Sequence, residues 1–173
     1  MVRELQIGDP APDFDLPIAY SGRVRLSELV KERTVILAFY PSDFGIICSV
    51  EMKQLKAIYD DLVQAGAEVL GVSTNSQFVH SAWREHLDLP FPLVADFDGK
   101  MSDSYGALAH EYYMFGRSKR ALFIVDRRRT VRYTWVSEDP SLEPDYDEVL
   151  QICRDLNQEH SSPASPVPAG STP

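Results

Sequence analysis

Cysteine is nearly missing from this chain: 173 residues contain two, Cys48 and Cys153. Two are too few for the disulfide framework of a small secreted scaffold, and no further Cys or His stands at zinc-finger spacing from either. Such scarcity suits a reducing compartment and makes each thiol a separate question. Long hydrophobic runs are missing too. No window approaches the roughly 18 unbroken apolar residues of a spanning helix, and Met1-Val2-Arg3-Glu4-Leu5 lacks the apolar stretch of a secretory signal. The expectation is a soluble, cytoplasmic protein with no membrane partner. Positive charge is in short supply: 17 Lys and Arg stand against 26 Asp and Glu, a net charge of -9, which repels phosphate backbones and argues against a nucleic-acid partner. The one basic cluster, Arg127-Arg128-Arg129, falls between two apolar runs, where a hairpin turn leaves it in solvent. No phosphate-cradling glycine motif or metal-ligand constellation occurs, so neither a metal nor an organic cofactor is implied.

What is present is enough apolar sequence, 44% of the chain, for one domain with a sizeable core. That domain is expected over residues 1–156. Residues 157–173, dense in Pro and Ser with almost no large apolar side chains, are expected to form a disordered tail, because they cannot offset the entropy of ordering. Thr34 to Tyr40 is β-branched and aromatic almost throughout, as a strand covered on both faces requires. Ser42 and Asp43 offer N-cap side chains, and Leu55, Ile58, Tyr59 and Leu62 recur at helical spacing until Gly66 supplies a stop. Ala67 to Ser73 is a second strand, followed by a helix over Gln77 to His86 with Phe78, Val79, Ala82 and Trp83 on its apolar side. This βαβ pattern calls for a parallel pair. Further on come a strand over Phe91 to Ala95 and a short helix over Met101 to Leu108. Two strands, Ala121 to Val125 and Thr130 to Val136, are close enough to pair antiparallel. Tyr146, Val149, Leu150, Cys153 and Leu156 mark a last amphipathic helix. The expected fold class is α/β, a central mixed sheet flanked by helices on both faces, the outline of a thioredoxin-like fold.

Cys48 falls in the first turn of the helix that follows the first buried strand. Unpaired backbone N–H groups and the positive dipole end stabilise an anion there, and the thiolate is the nucleophilic form of cysteine. A reactive thiol is one reading of that position. A small buried hydrophobe is the other, since free cysteine is among the most buried residue types.

The stretch F-Y-P-S-D-F-G-I-I-C-S-V-E, Phe39 to Glu51, resembles the peroxiredoxin signature. Four further blocks resemble that family in order: Ala11-Pro12-Asp13-Phe14, Gly71 to Trp83, Phe91 to Gly106, and Arg120 to Asp126. The likeness covers about residues 5 to 156. It implies a thiol-dependent peroxidase that reduces hydrogen peroxide or small alkyl hydroperoxides. In that scheme Cys48 is the peroxidatic cysteine, Pro41 shields the thiolate, and the Arg120 guanidinium lies beside it, lowering its pKa and holding the substrate. Glu51 takes the place of the acidic residue that orients the arginine, and equally fits a first-turn dipole complement. His80 and Trp83 also match, though their place on the apolar side of a helix reads as packing.

Two departures stand out. The threonine that the family places three residues before its cysteine is replaced by Gly45. The lost hydroxyl is worth roughly 1.5–3 kcal/mol, about one to two orders of magnitude in rate. A backbone N–H, a water, Ser42 or Ser49 is left to replace it. There is also no cysteine five residues after Cys48, where Lys53 stands, and no C-terminal Val-Cys-Pro. Cys153 is the only internal candidate to resolve a Cys48 sulfenic acid, yet it shares a helical stripe with Val149 and Leu150, as a packed residue does. The simpler expectation is a one-cysteine cycle closed by an external thiol or thioredoxin-like reductant, with a homodimer expected by analogy. A disulfide oxidoreductase is discounted, because Ser49, Val50 and Glu51 follow Cys48 where C-x-x-C is needed. The alternative function is a peroxiredoxin-like redox sensor or binding protein with weak turnover.

Overall fold

The structure, a computed structural model, describes residues 3–18, 22–111 and 114–162. Its centre is the run read as a doubly covered strand: β3, Thr34–Phe39, is buried at every position. Its side chains divide by the two-residue period of a strand. Ile36, Ala38 and the following Tyr40 enter one core cluster, while Val35, Leu37 and Phe39 enter the other.

Around β3 stand β4 (Ala67–Ser73), β5 (Leu93–Ala95), β6 (Arg120–Val125) and β7 (Val131–Ser137), in the order β5-β4-β3-β6-β7. The β3–β4 and β4–β5 pairs are parallel, whereas β3–β6 and β6–β7 are antiparallel, so the mixed sheet expected from spacing is present. A separate hairpin pairs β1 (Asp15–Pro17) with β2 (Arg23–Arg25). One core cluster is closed by α2 (Ile46–Ala57), α3 (Tyr59–Gln64), α4 (Gln77–Leu87) and α6 (Tyr146–Ser161), through residues such as Met52, Leu62, Trp83 and Leu156. The other is closed by α1 (Leu26–Leu29) and α5 (Lys100–Ser104), through Leu26 and Met101. No described helix is long and apolar enough to cross a membrane.

Several boundaries differ from the sequence reading. The helix expected to run on to Gly66 is interrupted at Ile58, where φ -104 and ψ 5 leave helical geometry, and resumes as α3. Gly66 does provide the stop, with φ +72, a left-handed conformation that costs glycine least. On α4 the buried side chains are His80 and Trp83, while Phe78, Val79 and Ala82 are exposed. Helical periodicity located the stripe but set its centre about one residue off. The last helix continues through residues 157–161, which composition assigned to a disordered tail. Leu156 is buried and Asn157 meets Gly66, and these contacts carry the helix past the point where its sequence turns polar. Residues 163–173, the remainder of that expected tail, lie outside the described residues. The arginine turn behaves as read: Arg127 and Arg128 are exposed, and Asp126 accepts the Arg128 and Thr130 N–H groups to close it.

Gly71 shows how tightly the sheet is built where it approaches the cysteine helix. A Cβ there would lie 2.5 Å from Leu93 Cδ2 and 3.6 Å from Met52 Sδ. Overpacking of this kind costs about 1–3 kcal/mol. Gly71→Ala is therefore expected to lower the unfolding free energy by that amount in urea titration, with an unchanged m-value.

Candidate active site

The register of β3 with β6 runs from Val35↔Val125 to Phe39↔Ala121. Antiparallel pairing thus sets Arg120, the first residue of β6, at the C-terminal end of β3, and the chain leaving β3 enters α2 after the loop 40–45, with Cys48 as its third helical residue. Sequence separation of 72 residues is reduced to contact: Arg120 Nη2 donates to Cys48 Sγ at 3.4 Å.

Arg120 is 1% exposed and Cys48 is 4% exposed, so the guanidinium needs compensation inside the protein. Two groups supply it through three bonds. Nη1 is bonded to Glu51 Oε2, and Nε and Nη2 donate to the Pro140 carbonyl at 3.1 and 3.0 Å. Burial works to lower the arginine's pKa, but the charges of Glu51 and Cys48 outweigh it and leave it raised, so the side chain stays cationic. Glu51 sits one helical turn after Cys48 and is fully buried. Its Oε1 has no hydrogen-bond partner among the described residues. Burial raises its pKa to about 7 against the opposing pull of Arg120. Of the two readings left open for Glu51, partner of the arginine or first-turn dipole complement, its contacts fit the first.

Pro41 is buried at the exit of β3. Gly45 is the N-cap of α2, with φ -67 and ψ 143 and no side-chain cap bond. The expected caps are therefore corrected: Ser42 Oγ donates to the Asp43 carbonyl and Ser49 Oγ to the Gly45 carbonyl, while the Asp43 side chain is turned into the protein, where it meets Tyr40 and His80. Neither serine hydroxyl is spent on Sγ. Without a side-chain cap, the first-turn N–H groups of α2 stay available to an anion. A Cβ at position 45 would lie 3.1 Å from Cys48 Sγ and 3.1 Å from the Ser42 carbonyl oxygen. A threonine there would stand against the sulfur once its neighbours moved by a few tenths of an ångström.

Cys153 is buried on α6, in the same core cluster as Cys48. Both cysteines are free thiols, and burial alone pushes the Cys153 thiol up to about 12. On α6 the residue in the field of Glu51 and Arg120 is Tyr146, and Cys153 lies seven residues farther along, about 10 Å at 1.5 Å per residue. Sequence reasoning missed Pro140 and Tyr146. Pro140 contributes only a backbone carbonyl, which no side-chain pattern announces. Tyr146 was read solely as part of an apolar stripe. Among the described residues no cluster of His, Cys, Asp and Glu could hold a metal ion.

A buried cysteine at an uncapped helix start, touched by a fixed guanidinium, is arranged to stabilise a thiolate and to receive a small polar electrophile. Comparison with known proteins points the same way. Residues 7–134 match the model of the AhpC/TSA family. The chain is 31% identical over 180 aligned residues to a chloroplastic 2-cysteine peroxiredoxin of Chattonella marina var. antiqua, covering 98% of this chain and 89% of that one. It is 36% identical over 157 residues to peroxiredoxin-2 of Pongo abelii, covering 85% and 86%. Among solved structures, a peroxiredoxin-like protein from Aquifex aeolicus superposes with a TM-score of 0.81 at 26% identity, covering 89% of each chain.

The position of Glu51 generates a pH test. Its folded-state pKa is raised above the ordinary 4.5 to about 7. The stability it contributes is therefore fully present below the unfolded value and is lost as pH rises through the folded value. Between pH 4.5 and 7.5 the wild type is expected to lose stability relative to Glu51→Gln, measured as the difference in urea midpoint. A difference that does not change with pH means that Glu51 is ionised throughout.

Proposed function

The chain belongs to the AhpC/TSA family, the peroxiredoxins of the thioredoxin-like superfamily, and from that membership we propose the following chemistry for its thiol-dependent peroxidase activity. The Cys48 thiolate attacks the terminal oxygen of hydrogen peroxide or a small alkyl hydroperoxide. An S–O bond forms as the O–O bond breaks. The leaving oxygen takes a proton to become water or an alcohol, and Cys48 becomes a sulfenic acid. One external thiol displaces the sulfenic hydroxyl as water, forming a mixed disulfide. A second releases Cys48 as a thiol, and the reductant leaves oxidised as its disulfide.

The observation that carries this reading is the contact between Arg120 Nη2 and Cys48 Sγ. In a site with little access to water, a fixed cation favours the thiolate and can stabilise charge building on the departing oxygen. Glu51 and the Pro140 carbonyl hold the fork of the arginine, and the shielding role proposed for Pro41 is supported by its burial at the exit of β3. Gly45 removes one donor to the peroxide, and the uncapped first-turn amides of α2 take that role. The alternative, a redox sensor or binding protein with weak turnover, is not favoured by relatives named as peroxiredoxins.

Support for an external reductant comes from Cys153, which is buried and whose thiol is pushed up to about 12 by that burial. A thioredoxin-like protein is the reductant class proposed. The cytoplasm is proposed as the compartment, supported by two unpaired thiols, although relatives include chloroplastic proteins. A homodimer belongs to the same reading, because β7 is an edge strand carrying an exposed Val136.

Intact-mass measurement after one equivalent of peroxide tests the reading. The wild type is expected to gain one oxygen and to consume peroxide with a thiol reductant. Cys48→Ser does neither, and Cys153→Ser does both. Arg120→Met is expected to slow oxidation by roughly two orders of magnitude, the loss of one charge-assisted contact in the transition state. Gly45→Thr is expected to raise the rate by about tenfold. A wild type that gains no oxygen while a competing thiol is oxidised overturns the peroxidase assignment.

A further inference from the structure

The loop that delivers Cys48 is anchored by a buried polar network that the peroxidase chemistry does not use. Asp43 lies five residues before the cysteine. Its Oδ2 is 2.7 Å from His80 Nδ1, with both side chains fully buried. Its Oδ1 accepts the Tyr40 hydroxyl at 2.7 Å and the Ser73 hydroxyl at 3.4 Å. Its backbone N–H donates to Asn75 Oδ1 at 3.0 Å. His80 Nε2 is 2.9 Å from the Val94 carbonyl oxygen.

A carbonyl oxygen only accepts, so Nε2 carries a hydrogen. One further proton must then lie between Nδ1 and the Asp43 carboxylate, whichever atom holds it. The pair is thus a single proton-sharing unit sealed from water. It ties the ends of three parallel strands to one loop: Tyr40 follows β3, Ser73 ends β4, Val94 lies in β5, and His80 brings in α4.

The same loop is strained. Phe44, the next residue, has φ 64, a left-handed conformation that non-glycine residues hold only where their surroundings impose it. The Gly45 N–H to Ser42 carbonyl bond at 3.3 Å closes the turn. Gly45, at its end, starts α2 without a side-chain cap and borders Cys48 Sγ. Ser49 holds the Gly45 carbonyl from within α2, but no side-chain cap ties the first-turn amides to the preceding loop, and the Asp43 contacts hold that loop from the sheet side.

We infer that Asp43, His80 and Tyr40 are positioning residues for the peroxide reaction, holding the strained Ser42–Gly45 turn so that the free amides of α2 and the Arg120 guanidinium converge on Cys48 Sγ. The inference rests on Cys48 being the nucleophile. If Cys48 is not oxidised in the wild type, that reading fails first, and the two failures are distinct. The partners act through backbone placement and not by touching substrate. Their loss is expected to change the thiolate's environment as well as stability.

The test uses the full chain carrying Tyr40→Phe, Asp43→Asn or His80→Asn. Ultraviolet absorbance near 240 nm titrates the Cys48 thiolate, stopped flow gives the second-order rate constant with hydrogen peroxide, and circular dichroism reports folding. Each folded variant is expected to titrate Cys48 at higher pH than wild type and to react about fivefold to tenfold more slowly. Tyr40→Phe keeps the ring that packs 5.1 Å from Trp83 and removes only the hydroxyl. It therefore decides the matter if the two charge-pair variants do not fold. A folded Tyr40→Phe protein with the wild-type thiolate titration and rate constant overturns the inference, whatever its melting temperature. A raised titration midpoint with a lowered rate upholds it.

Discussion

The ion pair between Arg120 and Glu51 is the constraint on which the site depends. A guanidinium 1% exposed to solvent is tolerable only with its donors occupied and a countercharge at hand. Glu51 provides that charge as it ionises near neutral pH, and the Pro140 carbonyl takes two of the remaining N–H groups. What is left of the fork faces Cys48 Sγ. The site is therefore three protein contacts and one reactive sulfur arranged about a single planar cation. Because Glu51 and Cys48 lie one turn apart on α2, the helix presents a carboxyl group and a thiol to the arginine together.

That arrangement explains how the site can lack the family's threonine and still be organised. In this chain the thiolate has one fixed cation and a helix start with no side-chain cap. The vacancy at Gly45 lies directly against the sulfur, and the nearby serine hydroxyls are committed to backbone carbonyls. The donors remaining to a bound peroxide are backbone amides, whose positions depend on where the helix begins. Placement of the preceding loop then matters more than it would with a threonine in place, which links the buried Asp43–His80 pair to chemistry several residues away.

Much of this was legible in the sequence. The β-branched run at Thr34, the βαβ spacing to Ala67 and the short arginine turn gave a mixed sheet, because side-chain periodicity and loop length are local properties. Position after a buried strand singled out Cys48 without deciding between reactive thiol and packed residue; its role, like those of Arg120, Pro41 and Glu51, came from blocks that resemble a known family. Other features were misread for reasons that are also local. Ser42 and Asp43 had the chemistry of N-caps, but Asp43 has a stronger claim from His80, 37 residues away. The apolar side read for α4 included Trp83, and His80 was read as packing, and both are buried; Phe78, Val79 and Ala82, placed on the same side, are exposed.

By itself the sequence located the five strands of the central sheet and the main helices, though not the β1–β2 hairpin or α1, and set Cys48 at a helix start; its resemblance to a known family supplied the role of that thiol and the threonine missing beside it. The elements follow from neighbours along the chain, because periodicity and loop length are local. The tertiary structure decided what touches the sulfur, that Pro140 helps hold the arginine, that Asp43 turns inward to His80, and that Cys153 is packed in the core as a free thiol. Those outcomes depend on strand register and on competition for hydrogen-bond partners across long sequence separations. Such competition is settled only when the whole core closes and every buried polar group must find a partner.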